Sequence, residues 1–173
     1  MMNPIIQSLF DRKSCRIFKD KEISQEERKL ILEACMQAPS AGNQQMYTII
    51  DVQDQKLQET LSKTCDNQPF INQAKMVLIF CADFQKWYDL FNHESCNPRK
   101  PGVGDLLLAT TDATIAAQNA VVAAESLGIG SCYIGDILEQ HDLHRKLLNL
   151  SEYVVPVCML VLGYPAEDHF KRQ

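Results

Sequence analysis

Arg12, Lys13, Ser14 and Arg16 put three cations and a hydroxyl into five residues. Arginine presents a planar fork of donors that matches a phosphate, lysine adds a mobile point charge, and serine a short donor, so the set can cradle an anion. Phe18 closes it with an aromatic face. The alternative is a solvated basic turn. The whole chain has a formal net charge of −5 over 173 residues. Such a surface repels phosphate backbones, which argues against nucleic acid as a partner and makes any anion site a local exception.

A second group of candidates lies in Pro39-Ser40-Ala41-Gly42-Asn43-Gln44-Gln45, small and amide residues without periodicity, hence a loop. The amides of Asn43 and Gln45 can meet a heteroaromatic ring; alternatively Asn43 bonds its own backbone in an ordinary turn. Gly128-Ile129-Gly130-Ser131-Cys132-Tyr133-Ile134-Gly135 is not a dinucleotide fingerprint, because Tyr133 stands where the third glycine is required and the run follows a helix. Gly135 still permits close backbone approach to a ligand. Lys100 to Gly104 lacks the Gly-Lys-Ser/Thr of a phosphate loop. His93, Glu94 and Cys96 share one loop with no second ligand group, and the seven cysteines are scattered without a C-x-x-C pair, so neither a metal site nor a disulfide framework is expected. Cys35, Cys81 and Cys158 lie in apolar segments and read as small core hydrophobes. No side chain stands out as a catalytic acid, base or nucleophile.

The elements that must position these residues follow from caps and periodicity. Asn3-Pro4 opens a short helix carrying Ile5, Ile6, Leu9 and Phe10. Ser24 and Glu27 form a capping box for a second helix whose stripe Leu30, Ile31, Ala34, Cys35 and Ala38 faces the core, with Pro39 ending it. Tyr47 to Val52 reads as a strand, Asp54 caps a helix through Leu57 and Leu61, Gln68 to Gln73 adds a turn, and Met76 to Ala82 is a strand buried on both faces. Phe84 to Phe91 is helical, Asn92 to Gly104 a polar excursion. Asp105 to Leu127 is a long alanine-rich helix, expected to be buried all round, with a second subunit or the chain's own core covering it. Glu139 to Leu148 is a helix with His141, His144 and Arg145 on its wet face, and Val154 to Leu162 is the last strand.

Length fits one domain spanning residues 1–173. The first ten residues have no positive n-region, the apolar run from Leu106 to Gly130 is broken by Asp112, Gln118, Asn119 and Glu125, and the cysteines suit a reducing cytoplasm. No signal peptide, no membrane span and a cytoplasmic location are therefore expected.

Three segments in this order, Arg12-Lys13-Ser14-Cys15-Arg16-Ile17-Phe18, Ala38-Pro39-Ser40-Ala41-Gly42-Asn43-Gln44-Gln45 and Leu162-Gly163-Tyr164-Pro165, with the alanine-rich helix running into Gly128-Ile129-Gly130, resemble the nitroreductase family of flavin oxidoreductases along essentially the whole chain. The resemblance implies an α+β fold with a central, mostly antiparallel sheet flanked by helices, the long alanine-rich helix at a dimer interface, and a homodimer sharing two FMN sites. It implies that Arg12, Ser14 and Arg16 hold the phosphate, ribityl and ring-edge groups of FMN, with Lys13 contributing mainly backbone. Asn43 and Gln45 match the amide pair that approaches the flavin, and Pro39 and Ser40 reach it from the partner subunit. Ile134 and Gly135 match the segment whose backbone amide points at flavin N5, and Lys171 or Arg172 completes the phosphate site. Met46 and Tyr47 depart from the proline and tryptophan that commonly continue the amide motif. The implied activity is hydride transfer from NADH or NADPH to FMN and then to a second acceptor (nitroaromatic, quinone or free flavin) by a ping-pong mechanism. A non-catalytic module that stores or senses flavin, a dehalogenase or flavin-fragmenting enzyme, and a colourless dimerisation domain are the rival readings.

Overall fold

The computed structural model describes residues 3–166. Lys171 and Arg172 lie outside the described residues. The fold is α+β: four strands, β1 (Tyr47–Asp51), β2 (Met76–Asp83), β3 (Gly130–Ile134) and β4 (Val154–Gly163), form one antiparallel sheet in the order β1-β2-β4-β3. The helices are α1 (Pro4–Asp11), α2 (Gln25–Met36), α3 (Gln55–Thr64), α4 (Pro69–Gln73), α5 (Gln85–His93), α6 (Val103–Ser126) and α7 (His141–Leu147).

Every residue of β2 is buried, because the strand has helices on both faces. Its side chains alternate with period two. Met76, Leu78 and Phe80 enter one cluster with Ile31 and Cys35 of α2 and the alanine face of α6, while Val77, Ile79 and Cys81 enter a second with Leu61 and Cys65 of α3, Ile71 of α4 and Ile137. β4 splits the same way, Leu160 and Leu162 to the first, Met159 and Val161 to the second. Pro156 is tolerated in β4 because it stands beside a register shift, at a position paired only with β2.

Three expectations need correction. In α2, Ile31 and Cys35 are buried, as is Ala38 just beyond its end, but Leu30 is 53% exposed: it stands one residue, about 100°, from the true centre of the stripe. In α7, His144 is fully buried instead of wet, with Nδ1 2.7 Å from Ile137 O and Nε2 2.9 Å from Thr64 Oγ1, so both ring nitrogens are satisfied. The long helix is one-sided within the chain. Ala109, Ala113, Ala116, Ala117, Ala120 and Ala124 are buried, whereas Val103, Leu106, Leu107 and Leu108 are exposed. It also begins two residues earlier than expected, because Asp105 is the third helical residue and its Oδ2 accepts from Gly102 N–H at 2.8 Å. By length and composition α6 could cross a membrane, but its alanine face is core packed against α2 and the sheet. The apolar residues of α1, Ile5, Ile6, Leu9 and Phe10, are all exposed.

Candidate functional site

The basic strand is positioned by two close approaches. Cys15 N–H donates to Ser131 O at 2.9 Å, and Ser14 forms a parallel bridge with Ser131, so residues 13–15 lie beside the open edge of β3. A Cβ on Gly130 would sit 2.7 Å from Cys15 Cβ, and one on Gly163 would sit 2.7 Å from the Phe18 ring. Only glycine admits the segment at that distance. The extended geometry sends Cys15 inward, buried, and leaves Ser14 and Arg16 exposed on the opposite side. Burial pushes the Cys15 thiol up, and also raises Cys35, Cys65, Cys81 and Cys158, the last four to about 12. None of these is a ready nucleophile.

Arg12 turns toward Tyr133, whose phenol is raised first by burial, with the Arg12 charge pulling it down. Tyr133 Oη in turn is 3.3 Å from Gln118 Oε1 of α6. Arg12 Nη1 is buried and has no hydrogen-bond partner among the described residues. Buried cationic donors are rarely left so, because desolvation without a partner is costly. Arg16 reaches the Phe70 ring, with its guanidinium carbon 5.9 Å from the centroid, at the outer limit of a cation–π contact. Lys13 is half-buried.

The amide loop is held in an unusual conformation. Asn43 and Gln45 have φ of 56° and 50°, next to Gly42 at 57°, so three of four residues are left-handed. Gln45 Nε2 lies 3.4 Å from Asn43 Oδ1, which brings the two predicted amides together on an exposed rim. Ser40 Oγ accepts from Gln45 N–H at 3.0 Å, so this predicted residue closes the loop, and Pro39 is exposed beside it. From α5, Trp87 Nε1–H donates to Gln44 O at 2.9 Å and Lys86 Nζ donates to Gln45 O at 3.1 Å and Tyr47 O at 2.8 Å. From α6, the carboxylate of Asp112 accepts from Ala41 N–H at 3.0 Å and Met46 N–H at 3.3 Å. Asp112, Lys86 and Trp87 hold this loop and were not among the candidates expected from the sequence. The signal available was an acidic residue within an alanine-rich face.

At the end of β3, Ile134 buries its side chain in the second cluster, which leaves only its backbone for a site. A Cβ on Gly135 would meet nothing within 4 Å, which leaves open space beyond the strand end. A cavity of about 350 Å³ lies near the amide loop, lined by Ala82, Phe84, Leu106, Ala109, Tyr153 and Val155 together with residues 101–103. Ala82 and Ala109 also pack on Met46.

The profile of the Nitroreductase family matches residues 9–164. Among curated proteins, the chain is 39% identical to an FMN reductase [NAD(P)H] of Bacillus subtilis (strain 168), over 99% of this chain and 70% of that protein. It is 34% identical to an oxygen-insensitive NADPH nitroreductase of Salmonella typhimurium (strain LT2), over 96% and 68%. Among solved structures, B. megaterium NfrA2 superposes with a TM-score of 0.93 at 39% identity, covering 99% of this chain and 70% of that one. The NADPH:FMN oxidoreductase from Vibrio harveyi, complexed with NAD+, superposes at 0.91 with 28% identity, covering 99% and 73%. A profile match that takes in both the basic strand and the amide loop, together with relatives of this identity and coverage, makes the chain a member of the nitroreductase family.

Proposed function

We propose that this protein is an FMN-dependent oxidoreductase that uses NADH or NADPH to reduce a second small-molecule acceptor, a nitroaromatic, a quinone or a free flavin. The observation that carries this reading is the buried Arg12 Nη1, which has no hydrogen-bond partner among the described residues, in one short segment with the exposed Ser14 and Arg16. A phosphate would satisfy that donor and gain charge-assisted bonds. The donor set fits FMN: Arg12 and Ser14 for phosphate and ribityl, with Lys13 backbone and Lys171 or Arg172, then Asn43 and Gln45 for the ring, and the Ile134–Gly135 backbone for N5. The names of the relatives, FMN reductase and NADPH nitroreductase, support the same cofactor and donor.

When bound, FMN supplies the two-electron relay between nicotinamide and acceptor. The protein's part is electrostatic and positional. Arg16 would supply the cation that favours negative charge at the pyrimidine edge of the ring. Asn43 and Gln45 would set the ring's approach, and burial keeps the neighbouring Cys15 thiol from acting as a nucleophile there. No protein group is needed as the final acid, since water can deliver the last proton. Donor and acceptor take turns in one pocket, a ping-pong order, and acceptor choice is set at the cavity lined in part by residues 101–103.

The reading includes a single domain, a cytoplasmic location and a homodimer. In that homodimer Pro39 and Ser40 of each protomer reach the partner's cofactor. The exposed apolar residues of α1 and of the first two turns of α6 are the surface that a second copy covers. Steady-state oxidation of NADH and NADPH by the FMN-loaded protein tests the activity. Turnover with parallel double-reciprocal lines for at least one of the three acceptor classes is expected. A protein that binds FMN but turns over with none of them is a storage or sensing module.

A further inference from the structure

Asp112 is 2% exposed, on the alanine face of α6 beside Ala109, Ala113 and Ala116. A carboxylate there needs a reason, because burying an acceptor-only anion is costly unless donors meet it. The donors are two backbone amides. Oδ1 accepts from Ala41 N–H at 3.0 Å and Oδ2 from Met46 N–H at 3.3 Å. These two amides bracket Gly42, Asn43, Gln44 and Gln45. Left-handed backbone at Asn43 and Gln45 is unfavourable for residues with a side chain and persists only when the surroundings over-determine it. The other tethers that reach the loop from α5 come from an exposed indole bond and a part-exposed lysine. The Asp112 clamp is the buried one.

We propose that Asp112 is a positioning residue for the cofactor site: its buried carboxylate clamps both ends of the amide loop and so sets the places of the Asn43 and Gln45 side chains. The proposal rests on the FMN reading given above. Asp112→Asn keeps the size of the side chain but turns one acceptor into a donor that faces a backbone N–H, so one end of the loop is released while the helix is kept.

The test is titration of flavin-free protein with FMN, followed by fluorescence quenching, in a double-mutant cycle of Asp112→Asn with Asn43→Ala. Leu61→Ala, on the far face of the sheet, serves as a destabilised control. Asp112→Asn is expected to raise the FMN Kd at least about tenfold. Asn43→Ala is expected to cost several-fold in the wild-type background and less than about twofold in Asp112→Asn, since both act through one loop. Leu61→Ala is expected to stay within about twofold of wild type; a comparable tenfold rise there would mean that loss of stability alone raises the Kd, and would overturn the positioning role. Asp112→Asn binding FMN as wild type does, or Asn43→Ala costing its full amount in both backgrounds, overturns the proposal. If Asp112→Asn does not fold, amide hydrogen exchange in the flavin-free wild type decides. Ala41 and Met46 N–H are expected to be protected about 100-fold or more, and free exchange at both overturns the clamp. A wild-type protein that binds no FMN overturns the flavin reading itself, a result distinct from tight binding that Asp112→Asn leaves unchanged.

Discussion

Arg12 shows why a cationic cluster reads as a site and not as a solvated turn: one of its guanidinium nitrogens is buried with nothing among the described residues to donate to. An unsatisfied buried donor costs on the order of 1–3 kcal/mol, a penalty that a phosphate bound as proposed would remove. Arg12→Ala and Arg16→Ala are each expected to weaken FMN binding by about 1.5–3 kcal/mol, roughly 10- to 150-fold in Kd, read by fluorescence titration. Arg12→Ala has a second expected mark. The thermal midpoint of its flavin-free form does not fall, because the substitution removes the orphaned donor along with the ligand contact. Unchanged flavin affinity in both variants would remove the basis for the site. At this scale the cations and amides were legible from residue type alone. Asp112 was not, because its two partners lie 71 and 66 residues away and a lone acid in an apolar run looks like an interruption.

The helix starts show the same division between local and distant. The capping box at Ser24 and Glu27 forms as the three-residue spacing dictates, with Glu27 N–H donating to Ser24 Oγ at 3.2 Å and Ser24 N–H donating to Glu27 Oε2 at 2.9 Å. Invisible in the sequence is the second use of Glu27, whose Oε1 accepts from Tyr164 Oη–H at 2.5 Å and ties α2 to the turn after β4. Lys21 Nζ stands 3.5 Å from the centroid of the same ring. The bond from Tyr164, and then those from Ser24, lower the Glu27 carboxyl from its ordinary value of 4.5. A depressed carboxylate adds stability that is present above the unfolded value and lost as pH falls through the folded one. Glu27→Gln is therefore expected to melt below wild type at neutral pH, with the difference shrinking as pH drops below 4.5. A difference that stays constant through the acid range would mean that the ionised form does not hold the latch. Burial within helices was the weakest part of the reading. Leu30 stands at the border of the α2 stripe, where spacing alone does not fix the inward side, and His144 lies in a seven-residue helix too short to fix its phase, so that its bonds to Ile137 and Thr64 settle which side is inward.

At the scale of the molecule, the element sequence and the α+β class were legible, while the order β1-β2-β4-β3 was not. All four strands are apolar, and pairing depends on connections that periodicity does not encode. The alanine helix was read as buried on every side; within one chain its first two turns remain bare, and α1 buries none of its side chains. On the proposed homodimer, Phe10→Glu together with Leu107→Glu is expected to give a monomer in analytical ultracentrifugation and to release the flavin, since each proposed site would draw on both protomers. A flavin-loaded monomer would contradict the shared-site arrangement. The most direct test of the account as a whole is the visible absorption spectrum of freshly purified protein, repeated without oxygen after adding NADH or NADPH. The account predicts a flavin spectrum that bleaches on adding the nicotinamide. A colourless protein that FMN cannot reconstitute, or a flavin spectrum that neither nicotinamide bleaches, would contradict it.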